Sequence, residues 1–120
     1  MTHGKQVLDD LRGPARRLRA AIPDVYAGFA ATHQAALVDG ALDTRTKELI
    51  ALAIGIDQKC DGCIASHARG AARAGATPQE AAEAIGVAIL MAGGPSTVYG
   101  PRAYDAFLEF HEQHASRAAG

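Results

Sequence analysis

Two thiols, an imidazole and a carboxylate are the side chains whose types and spacing could support chemistry in this 120-residue chain. Cys60 and Cys63 are its only cysteines. They stand three apart in "CDGCIASHARGAARAG", and His67 follows four residues after Cys63. A metal site, a structural disulfide, a redox reaction or plain packing would each account for that cluster. For redox work the thiolate is the nucleophile, and a free cysteine has a pKa of about 8.5. A helix N-terminus offers unsatisfied N–H groups and the positive end of the dipole to lower it. A neighbouring histidine can take the thiol proton, and a carboxylate behind the histidine fixes its tautomer and steadies the imidazolium. Once one sulfur is oxidised, the other attacks it and closes a disulfide that a dithiol can reopen. Asp61 opposes the thiolate, although solvent exposure weakens its effect.

The competing readings rest on ligand counts and loop lengths. Structural zinc takes four ligands, and there is no second C-x-x-C. His67 with His33, His111 or His114 would complete a Cys2His2 set. His111 and His114 otherwise read as a solvated or partly packed helix face. A structural disulfide would close a very small loop and remove little entropy from the unfolded chain.

The elements that must position these groups are helices nearly throughout, since nothing alternates with period two over a useful length. Residues 1–13 are polar and expected to fray at the start. Pro14 is placed to open a short helix, "PARRLRAAI", with a basic exposed face. Pro23 suits a second start, with Val25, Phe29, Ala36 and Leu37 on one side and an end near Gly40. Asp43 or Thr44 can cap a third helix. Its Leu49, Leu52, Ala53 and Ile56 form one apolar stripe and Ile50 and Ile54 another, which predicts burial on most sides. A fourth helix begins at the cysteines and ends at Gly75, a C-cap candidate. Thr77, Pro78 and Glu80 write a capping box for a fifth, which Gly93 and Gly94 end. A sixth follows, with Gly100-Pro101 predicting a kink or a delayed start. Tyr104, Phe107, Leu108 and His111 share one of its faces, and "ASRAAG" reads as a loose tail.

The short connection between the third and fourth helices forces them antiparallel, with a turn around 57–60. Residues equidistant from that turn face each other, and Glu48 and His67 average to 57.5. Glu48 is out of reach of Cys60 along its own helix, twelve residues or about 18 Å away. It can reach His67 across the pair, and His67 lies one turn beyond Cys63. The spacing therefore predicts an ordered chain: Glu48, His67, Cys63, Cys60. A carboxylate on a helix crowded with Leu and Ile needs such a partner.

Composition bounds the rest. The length corresponds to one domain, 1–120. Twelve Lys and Arg against thirteen Asp and Glu leave a formal charge of -1, with no electrostatic case for nucleic acid or an anionic membrane. Hydrophobic residues reach 48% but aromatics only 5%, so alanine carries much of the core. Burial stabilises by roughly 25 cal/mol per Å², and alanines bury little area each. Oligomerisation is therefore expected to supply the missing burial. No apolar stretch approaches the roughly 20 residues that span a bilayer. The N-terminal residues show no secretory pattern. The expected setting is cytoplasmic, where a C-x-x-C more often serves catalysis or metal than a staple.

Glu48, Cys60-Asp-Gly-Cys63 and His67, with "TKELIALAIGI", "AGATPQEAAEAIGVAILMAGGP" and the tyrosine-bearing last helix, resemble the signature of the alkyl hydroperoxidase D-like proteins. These belong to the carboxymuconolactone decarboxylase superfamily, and the resemblance runs from about Leu42 to Phe110. It implies an all-α, compact bundle of about six helices with a central antiparallel hairpin carrying C-x-x-C. Such proteins assemble through helix packing as homo-trimers or hexamers. It further implies a thiol-dependent peroxidase or disulfide oxidoreductase without a cofactor. In that reading Cys63 attacks the peroxide, Cys60 resolves, and His67 and Glu48 relay the proton. The implied reductant is a dithiol, from a lipoyl-bearing protein, and a partner peroxiredoxin is a further candidate. Two departures stand out: Gly62 replaces a histidine that some members carry, and the chain amounts to roughly one copy of the motif-bearing half of longer members. Lactone decarboxylation, which does not rely on a C-x-x-C pair, is the alternative chemistry. A non-catalytic metal-binding or regulatory oligomer is the alternative without chemistry.

Overall fold

Six helices, and no strand, account for the regular structure of residues 2–119, the part of the chain that the computed structural model describes. They are α1 (Lys5–Ala21), α2 (Pro23–Leu37), α3 (Thr44–Asp57), α4 (Asp61–Arg73), α5 (Pro78–Ala92) and α6 (Ser96–Ala119). The all-α reading holds, with the antiparallel α3–α4 hairpin at its centre.

Local chemistry sets most of the boundaries. The Asp43 carboxylate accepts from the Thr46 N–H at 2.8 Å and starts α3. The Thr46 hydroxyl first, and then this N–H, hold the Asp43 carboxyl below the usual carboxylate range. Thr77 and Glu80 form the expected capping box of α5, with bonds of 3.1 and 2.8 Å. At the end of α4 the Ala76 N–H reaches the Ala71 carbonyl and the Gly75 N–H reaches that of Ala72. Gly75 takes φ +92°, a conformation that favours glycine.

Three expectations about the helices change. Pro14 does not open a helix but lies inside α1, which already begins at Lys5. The missing N–H leaves the Asp10 carbonyl without its helical donor. That is tolerable because Asp10 is exposed to water, and because Lys5–Asp9, Gln6–Asp10 and Arg12–Asp9 contacts brace the first half of the helix. Pro101 likewise sits within a continuous α6, so the helix start is not delayed. Gly100 beside it packs so tightly on α5 that a Cβ would come 2.9 Å from Ile85 Cγ2. The tail is helical through Ala119, and only Gly120 of it lies outside the described residues.

The core lies among α3, α4, α5 and α6. Leu52, Ile56, Ile64 and Phe107 are sealed within it, surrounded by alanines of α4 and α6. The stripe Leu49, Leu52, Ala53 and Ile56 faces inward as expected. The second stripe does not: Ile50 and Ile54 are 46% and 52% exposed. With Ala53, Val87 and Met91 they line an apolar cleft of about 310 Å³, because α4 and α5 cover only one side of α3. No helix among the described residues is long and apolar enough to cross a membrane.

Candidate functional site

The α3–α4 turn determines where the cysteines stand. The Cys60 N–H reaches back to the Gly55 carbonyl at 3.1 Å, and the Lys59 N–H to that of Ile56 at 3.0 Å. Closing the turn this way puts Lys59 at φ +55°, a left-handed conformation that costs a side-chain-bearing residue about 1–2 kcal/mol. The chain emerges with Cys60 as the N-cap of α4. Its Sγ accepts the Cys63 N–H at 3.2 Å. Sulfur thus takes the place of the usual Ser or Asp oxygen, at the positive end of the helix. Cys60 and Cys63 are joined as a disulfide, with Cα atoms 5.2 Å apart.

Across the hairpin, Glu48 Oε1 and His67 Nδ1 meet at 2.7 Å. The Glu48 side chain is only 8% exposed and that of His67 19%. This carboxylate therefore sits in the α3–α4 interface with the imidazole as its hydrogen-bond partner, the pairing that the equidistant spacing predicts. An ionised Glu48 accepts from Nδ1–H, which leaves Nε2 as the basic nitrogen. His67 lies one turn past Cys63 on the same helix.

Several residues of the site escaped sequence reasoning. Gly70, one turn after His67, provides the space for the carboxylate: a Cβ there would overlap Glu48. Gly55 does the same for the helix backbones, since its Cβ would lie 3.4 Å from Cys63 Cβ. Helix-interior glycines beside a catalytic candidate were the available signal, as glycine costs roughly 0.5–1 kcal/mol in a helix unless space demands it. Arg102 of α6 places a guanidinium nitrogen 3.8 Å from Asp61 and stacks over Tyr99 at 4.7 Å. It thus offsets the one acidic group that opposes a thiolate at the motif. Leu11 of α1 lies over Gly62, the position of the missing histidine; a Cβ there would come within 3.0 Å of it.

The remaining histidines separate. The His33 ring, from α2, stacks on His67 with centroids 5.7 Å apart and planes at 16°. His111 stacks on Phe107, and His114 lines a cleft with Arg69 and Arg73. Among the described residues, no three or more His, Cys, Asp or Glu side chains are grouped to hold a metal ion. The arrangement presents two linked sulfurs at the N-terminus of α4 and, one helical turn beyond Cys63, an imidazole bonded to a carboxylate of the facing helix.

The model of the Carboxymuconolactone decarboxylase family matches residues 23–107, from the start of α2 into α6. Uncharacterized protein 4 in the cox locus of Paracoccus denitrificans is 41% identical over 91 residues, covering 76% of this chain and 79% of its own. An uncharacterized protein of Cupriavidus necator is 37% identical over 86 residues, 72% of this chain and 76% of its own. Among solved structures, the apo form of a carboxymuconolactone decarboxylase family protein from Legionella pneumophila superposes with a TM-score of 0.82. It is 41% identical and covers 86% of this chain and 92% of its own.

Proposed function

The chain belongs to the carboxymuconolactone decarboxylase family, and from that premise we propose that it is a thiol-dependent peroxidase or disulfide oxidoreductase of the alkyl hydroperoxidase D-like kind. The observation that carries this reading is the partly buried Glu48–His67 pair, 2.7 Å apart, one turn from a disulfide-forming pair of cysteines at the start of α4.

In the reduced protein, His67 Nε2 takes the Cys63 proton while Glu48 holds Nδ1–H and stabilises the imidazolium. The Cys63 thiolate attacks the distal oxygen of a hydroperoxide. The O–O bond breaks, the alkoxide leaves with the proton held by His67, and Cys63 becomes a sulfenic acid. Cys60 attacks that sulfur as a thiolate, expelling hydroxide that leaves as water. The sulfurs are now joined, as they are in the structure. A dithiol resets the pair: its thiolate attacks Cys63 Sγ, and Cys60 departs as a thiolate that the Cys63 N–H and the helix dipole stabilise. The second thiol of the donor then displaces Cys63, so the donor leaves as a disulfide. A lipoyl-bearing protein fits that two-thiol requirement, and a partner peroxiredoxin disulfide fits as an alternative oxidant. A cytoplasmic setting suits thiols that must be returned to the reduced state. The exposed apolar residues of α2, α3 and α5 support a homo-oligomer, a trimer or hexamer, formed through helix packing.

Thiol titration with and without peroxide, followed by intact mass, tests the proposal. Reduced protein should lose two thiols and two mass units per turnover. Cys63→Ser should abolish the oxidation, and Cys60→Ser should accumulate a sulfenate or mixed disulfide. His67→Ala and Glu48→Gln should slow it by about 10²–10⁴. Unchanged turnover in Cys63→Ser, or lactone decarboxylation that survives alkylation of both thiols, would overturn it.

A further inference from the structure

We propose that Arg69, Arg73 and Arg117, with Gln113 and His114, form a seat for a small oxyanion, a phosphate or carboxylate group, where α4 meets α6. These side chains line one cleft, whose apolar wall is Phe110. Arg69 and Arg73 stand one turn apart on α4. Phe110, Gln113, His114 and Arg117 recur at helical spacing on α6, so the donors converge from two rigid elements. Guanidinium groups present planar N–H forks that match phosphate and carboxylate oxygens. The enclosed space is about 20 Å³, enough for one oxygen atom, with the rest of the anion in the mouth.

The charge balance points the same way. Arg12, Arg45 and Arg102 each have an acidic partner within 4 Å, whereas Arg69, Arg73 and Arg117, like Arg16, Arg17 and Arg19 of α1, have none among the described residues; of these unpaired arginines, only the first three line one cleft. Like charges one helical turn apart repel. Burial first, and then the charges of Arg73 and Arg12, press the Arg69 guanidinium below its ordinary pKa, while Glu48 partly offsets them. Glu48 is engaged by His67, and Arg12 is paired with Asp9. Glu109 and Glu112 line an adjoining hollow on α6 that shares Gln113 and Arg117 with the cleft, yet neither carboxylate pairs with Arg117 within 4 Å. A positive cluster anchored by the partly buried Arg69, with Arg73 and Arg117 exposed at the mouth of the cleft, is an arrangement that an added oxyanion would relieve. The seat is independent of the cysteines and of the thiol chemistry proposed for them.

Isothermal titration of the full chain with inorganic phosphate and, separately, succinate tests this, at constant ionic strength made up with chloride. Saturable binding at millimolar or lower concentration is expected for at least one of the two. Tighter phosphate binding assigns the seat to phosphoryl groups and tighter succinate binding to carboxylates. Arg73→Gln should weaken binding about tenfold, the scale of one charged hydrogen bond, and the exposed pair Arg73→Gln and Arg117→Gln should abolish it. Arg73→Lys should lie between, because it keeps the charge and loses the fork. Arg16→Gln, an exposed charge change outside the cleft, should leave binding unaltered. No saturable binding of either anion, or equal weakening by Arg16→Gln and Arg73→Gln, would overturn the proposal.

Discussion

The bundle α3–α6 and the arm α1–α2 draw on similar residues but place them differently. Each of α3, α4 and α5 opens on a side chain that accepts from its first turn: Asp43, Cys60 and Thr77. Gly4 and Ile22, at the starts of α1 and α2, make no such bond. α4 buries Ile64 and four alanines, whereas α1 and α2 bury no residue at all. Val25 and Phe29 of α2 are 64% and 67% exposed. The arm is held by a few specific contacts: the Lys5 N–H on Glu109, Leu8 against the core, Arg19 over Tyr26, and Lys47 and Thr44 bonded to the carbonyls that end α2. Helices of this length draw most of their stability from packing an apolar face. The bundle therefore stabilises itself, while α2 has an apolar face that no described residue of the chain covers. Yet α2 delivers His33 to the His67 ring, so the less supported region still touches the site.

The sharpest way to break this contrast is to delete one aromatic ring from each region. Phe107→Ala, in the sealed core, should cost about 3–5 kcal/mol in chemical denaturation, whereas Phe29→Ala should stay within about 0.5 kcal/mol. A large loss for Phe29→Ala that grows with protein concentration would mean that another copy covers α2. Glycines offer a second pairing, with opposite signs. Gly70→Ala drives a Cβ into the Glu48 carboxylate. Overpacking of that kind costs about 1–3 kcal/mol, and the same change should slow thiol oxidation by displacing Glu48 from His67. Gly28→Ala meets nothing within 4 Å and should gain roughly 0.5–1 kcal/mol, as alanine replaces glycine inside a helix. The smallest effect concerns the caps. Thr77→Ala should cost about 1 kcal/mol, read as a shift in the denaturation midpoint at constant slope.

The candidate site was legible where local rules act alone. The Thr77–Glu80 box follows from capping chemistry, which also narrows the start of α3 to Asp43 or Thr44; the start of α4 at the cysteines is read from the helical pattern, and the Glu48–His67 contact follows from counting outward from a tight turn. The misreadings share a cause. Pro14 reads as a helix start, and Gly100-Pro101 as a kink or a delayed start, because the local penalty is large; Pro14 lies inside α1 and α6 already starts at Ser96, since solvent at Asp10 and the close fit of Gly100 on Ile85 decide what a helix tolerates. The second stripe of α3 predicts burial of Ile50 and Ile54 because apolar stripes face cores, whereas among the described residues the packing leaves them about half exposed.

What the amino acids alone settled is periodicity and punctuation: six helices in order, the antiparallel hairpin, and a thiol pair with an acid and an imidazole in register. Those follow from interactions within about one helical turn or across one short loop. Tertiary packing decided which helices come close enough for Gly70 to admit a buried carboxylate, which histidine stacks on His67, and which arginines line one cleft. Such choices depend on contacts between residues distant along the chain, and no local pattern encodes how closely two helices approach.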